Sequence, residues 1–144
     1  MKLNFDIDNN ILIVSINGEI DHHTAEEIRN DIERNFYNAN VKNMIFDFSS
    51  VTFMDSSGIG MIIGRYKYVK NFGGNVVVCN VNNTFDRIFK ISGLYKIIKC
   101  YKNREEAVKA VLGVEKWIMI TAWEYILNPT PEMKHLQEYQ LQLL

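Results

Sequence analysis

An apolar run, a polar turn and a second apolar segment constrain the fold of this 144-residue chain more than any other feature. Met44 to Phe48 is almost continuously apolar, which is typical of a strand buried on both faces. The segment 54–60, MDSSGIG, follows a few residues later. From Ser57, apolar side chains recur at helical spacing as far as Gly73-Gly74, where a helix is predicted to end. The order strand, turn, helix indicates an α/β fold.

Alternation of apolar and polar residues predicts an antiparallel hairpin at the amino terminus, with its turn at Asp8-Asn9-Asn10. Two further short strands are predicted, at Val76 to Cys79 and at Ile97-Ile98. Together with the run from Met44 they form a mixed sheet of about five strands, in which the later strands are parallel. The predicted fold class is therefore α/β, with about four helices packed on the sheet.

Capping signals predict where the helices begin. Thr24 and Glu27 have the spacing of a capping box, so the first helix is predicted to start at the residue after Thr24. The inward stripe of this helix consists of Ala25, Ile28, Ile32 and Phe36. Asn82 is placed to cap a third helix, and Asn103 with Glu106 repeats the capping-box spacing before a fourth.

Charge and cysteine content exclude several functional classes. Sixteen basic and 17 acidic residues give a formal net charge of -1, so no electrostatic footprint for nucleic acid or an anionic membrane is present. Charges interrupt the first apolar residues, which argues against a secretory signal and predicts a cytoplasmic protein. Cys79 and Cys100 are far apart without metal-ligand spacing, and Cys79 is predicted to be a buried side chain.

The composition changes near residue 116. Both tryptophans and both prolines of the chain lie in residues 117–144, so we predict one domain at 1–116 and an atypical tail. The apolar segment 117–127 is too short to span a bilayer, and a weakly amphipathic helix is predicted after Pro131. Three interpretations stay open for the tail: an extension added by cloning or a frameshift, a native strap or oligomer contact, and an interfacial membrane helix.

The polar turn has a structural and a functional interpretation. Asp55 at the start of a helix is explained as an ordinary cap, because its carboxylate accepts a hydrogen bond from an otherwise unpaired amide. An exposed serine at the same place is also well suited to carry a phosphate, because the helix amino terminus favours an anion. Ser56 is therefore the candidate phosphoacceptor.

Four motifs stand in order along the chain. They are Gly18 to Glu26 (GEIDHHTAE), Phe53 to Gly60 (FMDSSGIG), Gly64 to Lys67 (GRYK) and Ile91 to Ile98 (ISGLYKII). Together they closely resemble the anti-sigma factor antagonists of the STAS family, of the sporulation sigma-F type. The resemblance extends from about Met1 to about Gly113 and does not include the tail.

The resemblance implies a function. In this family the unmodified antagonist binds an anti-sigma factor, which is also an ATP-using serine kinase, and so frees the sigma factor. Phosphorylation by that partner releases the antagonist, and a separate phosphatase resets it. The acceptor of the family falls on Ser56. Partner contacts are expected at Asp21, His22, Asp55, Ser57, Gly58 and Met61, where Met61, with Tyr68, is predicted from helical spacing to face outward.

The alternative from another class is a small hydrolase or phosphotransfer enzyme that uses Ser56 or Ser57. The glycine required two places before the nucleophile in a G-x-S-x-G elbow is absent. A P-loop ending and a receiver-type acidic cluster with lysine are not evident, so no bound nucleotide or other cofactor is predicted. His22-His23 are adjacent and do not share a helical metal face, and no metal site is predicted. A non-enzymatic phosphoswitch is therefore the favoured interpretation.

Overall fold

The computed structural model describes residues 2–128, apart from the side chains of 114–117. Its strands are β1 (Lys2–Asp8), β2 (Ile11–Ile20), β3 (Asn43–Asp47), β4 (Val51–Met54), β5 (Val76–Cys79) and β6 (Lys99–Tyr101). Its α-helices are α1 (Ala25–Ala39), α2 (Ser56–Asn71), α3 (Asn83–Ile91), α4 (Arg104–Leu112) and α5 (Val114–Leu127). Residues 2–111 form one compact unit.

The strands form one mixed sheet in the order β1-β2-β3-β5-β6, and β4 pairs with β2 beyond the end of β3. Only β1 and β2 are antiparallel, with Asp8 opposite Ile11 across the two-residue turn. The other described pairs are parallel. The mixed α/β fold predicted from the sequence is confirmed.

The ten-residue strand β2 serves two neighbours in succession. Ile11 to Ser15 pair with β3, and Gly18 to Ile20 pair with β4. The register shifts between Gly18 and Glu19, where Gly18 has a φ of 116° that only glycine adopts readily. This bulge lets one strand continue from the centre of the sheet into the edge where the candidate site lies.

The core forms where both faces of the sheet are covered. Every residue of β3 is buried, as predicted for a central strand. Helix α1 buries Ile28, Ile32 and Phe36, which confirms the predicted inward stripe except for half-buried Ala25. The ring of Phe36 lies 5.8 Å from the ring of Tyr68, so α1 and α2 are joined by aromatic packing.

Three details differ from the sequence prediction. The additional strand β4 has only four residues, and Thr52 and Phe53 in its middle are both exposed, so it has no alternating pattern. The last strand is Lys99–Tyr101 rather than Ile97-Ile98, because Leu94–Lys96 forms a 3₁₀ turn that carries the chain past Ile98 before pairing begins. Thr24 makes no capping bond to its helix, because its hydroxyl bonds within the preceding turn instead.

The other capping predictions are supported by hydrogen bonds. The Asn82 side chain accepts from the Phe85 amide at 2.9 Å and starts α3. The Asn103 side chain accepts from the Glu106 amide at 2.9 Å, while the Glu106 carboxylate accepts from Lys102 N–H at 3.4 Å. In this capping box the Glu106 carboxylate therefore accepts from the amide of Lys102, one residue before the Asn103 amide that a standard capping box uses.

Helix α5 runs from Val114 to Leu127 and includes the predicted boundary at residue 116, which stays a prediction. None of the helices in residues 2–128 is long and apolar enough to cross a membrane. Exposed apolar side chains of α5 include Met119 and Trp123, at 72% and 61%. The helix predicted after Pro131 lies outside the described residues.

A charged network fastens the start of α4 to the sheet. The Arg104 guanidinium donates to Asp47 at 2.6 Å, to Asp6 at 2.8 Å and to the hydroxyl of Ser15. Asp47 is only 4% exposed. Burial acts to raise the pKa of the Asp47 carboxyl, but hydrogen bonds, first among them that of Arg104, outweigh it and hold the pKa below its usual value.

We predict that Arg104→Met lowers the free energy of unfolding at neutral pH by about 1–3 kcal/mol, because the buried Asp47 carboxylate would lose its cation. The effect is smaller than for a fully buried ion pair, because solvent screens the partly exposed Arg104. Because the folded pKa of Asp47 is depressed, its contribution is present above the unfolded pKa and is lost as pH falls through the folded pKa. Without Arg104, that loss should begin at a higher pH. Urea unfolding measured from neutral to acid pH checks both effects.

The matched control is Arg87→Met, which removes an exposed guanidinium from α3. It should leave stability nearly unchanged and the acid transition in place. Equal losses in the two variants, or an unshifted acid transition in Arg104→Met, would contradict the assigned role of the network.

Candidate functional site

The amino terminus of α2 is built by Asp55. Its carboxylate accepts a hydrogen bond from the Ser57 amide at 2.8 Å, and its carbonyl accepts from the Gly58 amide at 3.0 Å. Ser56 is the first residue of α2 and is exposed, whereas Ser57 is half-buried. The cap predicted from the sequence is therefore present, and it leaves the Ser56 side chain at the surface beside the positive end of the helix.

Gly58 holds α2 close to the sheet. It is buried, and a Cβ added at this position would lie 2.2 Å from Cγ of Met54 and 3.2 Å from Cγ2 of Ile20. A side chain at this position would push the helix away from β2 and β4. Its partner-binding role stays a prediction, while its structural role is a close approach of helix and sheet.

The loop between β2 and α1 is organised by Asp21. Its carboxylate accepts hydrogen bonds from the amides of His23 at 2.9 Å and Thr24 at 3.0 Å, and from the Thr24 hydroxyl. The hydrogen bond from the Thr24 amide is the main cause that lowers the pKa of the Asp21 carboxyl. His22 and His23 are exposed, with ring centroids 3.8 Å apart. Asp21 therefore fixes the turn that presents both imidazoles.

One backbone hydrogen bond joins the two halves of the site. The Asp55 amide donates to the Ile20 carbonyl at 3.1 Å, and Ile20 pairs with Met54 in the parallel register of β2 and β4. The loop that begins at Asp21 and the helix that begins at Ser56 consequently leave the sheet at the same edge. The structure thus brings the two predicted contact segments together.

A groove runs between these segments and along the helices that follow them. We call it the α1–α2 groove; its volume is about 520 Å³. Its lining includes His22, Glu26, Arg29, Ser57, Gly60 and Gly64. Arg65 and Met61 of α2 complete its inner wall. Three of the predicted contact residues, His22, Ser57 and Met61, therefore line one cavity.

The predicted outward position of Met61 is wrong. Met61 is only 5% exposed and belongs to the hydrophobic core, and Tyr68 is half-buried. The buried positions of α2 are Gly58, Met61, Ile62, Arg65 and Val69. Because Gly58 and Arg65 carry no apolar signal, a stripe drawn only through apolar residues is displaced by about one residue from the true one. The contribution of Met61 to partner binding stays a prediction.

Two notable side chains were not assigned to the site from the sequence. Phe53, which pairs with Glu19 between β2 and β4, is 49% exposed and lies two residues before Asp55, the cap of α2. Arg65 is almost fully buried, and burial lowers the pKa of its guanidinium. A phenylalanine in an unpredicted four-residue strand gives no surface signal. Arg65 lies in the motif Gly64 to Lys67 and interrupts an apolar helix, but neither signal placed it in the site.

The described residues bring together no group of three or more histidine, cysteine, aspartate or glutamate side chains that could hold a metal ion. Cys79 is fully buried, and its surroundings raise the pKa of its thiol to about 12, mainly through burial. This thiol is therefore protonated and poorly nucleophilic at neutral pH. The side chains open to solvent at this edge include the Ser56 hydroxyl and the imidazoles of His22 and His23.

Comparison with known proteins identifies the family. The family model described as the STAS domain matches residues 2–107. The anti-sigma F factor antagonist of Paenibacillus polymyxa is 38% identical over 98 residues, which are 68% of this chain and 84% of that protein. The chain belongs to the STAS domain family, among the anti-sigma factor antagonists.

Solved structures of the anti-sigma factor antagonist SpoIIAA have the same fold as this STAS domain. The unphosphorylated form is 26% identical, with a TM-score of 0.61, over 78% of this chain and 99% of that chain. The phosphorylated form from Bacillus is 29% identical, with a TM-score of 0.60, over 76% and 99%. The family resemblance stated from the four motifs is confirmed, while the roles of individual site residues stay predictions.

We predict that Asp55→Ala lowers the free energy of unfolding of the STAS domain by about 1 kcal/mol, because the Ser57 amide loses its acceptor. Asp55→Asn is the matched control, since its amide oxygen still accepts this bond and should retain most of the stability. Urea denaturation of the three proteins measures the difference. An Asp55→Ala variant as stable as the wild type would refute the capping role. In binding assays, the asparagine variant separates the effect of the charge from the effect of the cap.

Proposed function

We propose that the unphosphorylated STAS domain binds an anti-sigma factor that is also a serine kinase, and thereby releases a sigma factor for sporulation transcription. Phosphorylation of Ser56 by that kinase, with ATP, ends the binding, and a serine phosphatase restores it. The names of the relatives support this function. The observation on which the residue assignment rests is an exposed Ser56 at the first position of α2.

The position of Ser56 suits a modification that changes a surface and leaves the fold intact. A phosphoryl group there adds about 1.5 to 2 negative charges at neutral pH at a helix amino terminus, where the helix dipole favours an anion. Ser56 is exposed whereas Met54 and Gly58 are buried, so a group on the serine hydroxyl extends into solvent and not into the core. The bulk and charge of the phosphoryl group instead weaken the binding of a partner that contacts the turn.

The proposed interface combines the turn at Asp55 to Ser57 with the loop at Asp21 and His22. These segments lie side by side because the Asp55 amide bonds to the carbonyl of Ile20. Asp21 and Asp55 use their carboxylates to hold the backbone of the turns, so they shape the interface at least as much as they contact the partner. His22 and exposed Phe53 are the larger side chains available for direct contact.

The proposed partners determine the proposed location. An ATP-dependent kinase and a sigma factor act where transcription occurs, so we place the protein in the bacterial cytoplasm. No enzymatic activity of its own is needed, since the kinase and the phosphatase supply the chemistry. Turnover of a substrate by the isolated domain would instead favour the hydrolase or phosphotransfer alternative.

We predict that incubation with the purified cognate anti-sigma kinase and ATP adds one phosphoryl group to the wild type and none to Ser56→Ala. Intact-mass spectrometry with site mapping gives the result. Ser57→Ala is the matched control, because it removes the neighbouring hydroxyl and should still be phosphorylated. Phosphate on Ser57, or modification of Ser56→Ala to the wild-type extent, would overturn the assignment of the acceptor.

We further predict opposite binding behaviour for two substitutions of Ser56. Ser56→Ala should bind the kinase with nearly wild-type affinity, because only a hydroxyl is lost. Ser56→Asp should bind at least about tenfold more weakly, which corresponds to about 1.4 kcal/mol, because it places a charge in the contact. Calorimetric titration of each variant into the kinase with ADP measures the ratio, and equal affinities would exclude charge as the mechanism of release.

A further inference from the structure

At two glycines of α2, no packing contact within the described residues requires the absence of a side chain. Gly60 and Gly64 lie one helical turn apart on the wall of the α1–α2 groove. A Cβ added at either position would meet none of the described atoms within 4 Å, apart from the neighbouring helix backbone. Gly58 is the opposite case, because a Cβ there would lie 2.2 Å from Met54. The surface at Gly60 and Gly64 is therefore flat without any requirement of the fold.

Arg65 lines the same groove and is incompletely paired. Its side chain is 8% exposed, and Nη2 lies 3.1 Å from Oε1 of Glu33 on α1. Nε and Nη1 are buried and have no hydrogen-bond partner within the described part of the chain. Buried donors of a charged group are seldom left unpaired in folded proteins, so these two nitrogens call for an acceptor, and the groove that Arg65 lines is the route by which one can reach the guanidinium.

The remaining charges of the groove do not satisfy Arg65. Oε1 of Glu26 lies 3.8 Å from Nη2 of Arg29 on the same helix face, and both side chains are exposed. Glu33 approaches Nη2 alone and holds the guanidinium in place from the side of α1. The arginine is thus held beside the groove as an incompletely paired cation, which favours the approach of a further carboxylate.

We propose that the α1–α2 groove receives a helix of the anti-sigma partner, which rests on Gly60 and Gly64 and presents a carboxylate to Arg65. Glycines spaced by four residues allow two helix backbones to approach closely, as small residues do at the interfaces of membrane helices. An acidic side chain supplies the acceptor that the guanidinium lacks. This inference rests on the proposed function, since it names the surface of the same partner.

The groove also links binding to phosphorylation. Ser57 lines the groove at the amino end of α2, and Ser56 is its immediate neighbour. A phosphoryl group on Ser56 would add negative charge one residue from Ser57, at the end of a groove that holds an acidic helix. Repulsion between the two anions would then oppose seating of the partner without any change in the STAS domain itself.

The first test uses the glycines. Gly60→Ala and Gly64→Ala should each raise the melting temperature by about 2–6 °C, because alanine favours the helix and no contact is disturbed. Each should nevertheless weaken binding to the purified anti-sigma kinase with ADP by tenfold or more. Gly58→Ala is the matched control and should lower the melting temperature. Binding of both groove variants within twofold of the wild type would overturn the proposal.

The second test uses the charge. Arg65→Met fills the same space without donors and should keep or raise the melting temperature, because two unpaired donors are removed. It should weaken kinase binding tenfold or more, whereas Arg87→Met, which removes an exposed guanidinium from α3, should bind nearly as the wild type does. A large loss of stability in Arg65→Met with unchanged kinase affinity would show that Arg65 is only structural and would overturn its assignment.

The outcomes separate this inference from the function on which it rests. If the wild type does not bind the kinase while the kinase remains active, the proposed function fails. If the wild type binds and Ser56→Asp does not, yet the glycine variants bind normally, only the groove proposal fails. Sedimentation of the protein alone provides a further check. Self-association that Gly64→Ala abolishes without affecting kinase affinity would assign the groove to a second copy and overturn the proposal.

Discussion

The site depends on the parallel pairing of β4 with the far end of β2. A single ten-residue strand first anchors the centre of the sheet through β3 and then, after the bulge at Gly18, receives β4. The Asp55 amide continues this pairing by bonding to Ile20. Because parallel strands end at the same edge, the following loop and the start of α2 must emerge together. The position of Ser56 beside the Asp21 loop is a consequence of that register.

Both turns at this edge are closed by carboxylates that bond to their own backbone. Asp21 accepts from two amides of its loop, and Asp55 accepts from the Ser57 amide. These two acidic residues therefore stabilise their turns in the free protein, independently of any partner. Ser56 is exposed and has no such structural assignment. A modification confined to it alters charge and shape at the surface while the turns stay closed, which is what a reversible binding switch requires.

The sequence predicted the parts of the fold that depend on periodicity. The hairpin, the buried strand at Val76–Cys79 and the buried stripe of α1 all follow from apolar spacing. It did not predict β4, whose exposed Phe53 breaks the alternation, or the burial of Met61. Both depend on tertiary contacts. Gly58 allows α2 to pack closely on the sheet, so the face of α2 that carries Gly58 and Met61 is buried. Four ordered motifs identified the family where single motifs did not.

Helix α2 explains how one element supports folding and recognition with the same residue type. At Gly58, the absent side chain lets the helix pack on Met54 and Ile20, so glycine there stabilises the fold. At Gly60 and Gly64 the space is empty, and each glycine costs the helix about 0.5–1 kcal/mol relative to alanine. The unpaired donors of Arg65 add to that cost in the same groove. Such local costs are characteristic of a surface adapted to bind a partner and not to stabilise the free protein.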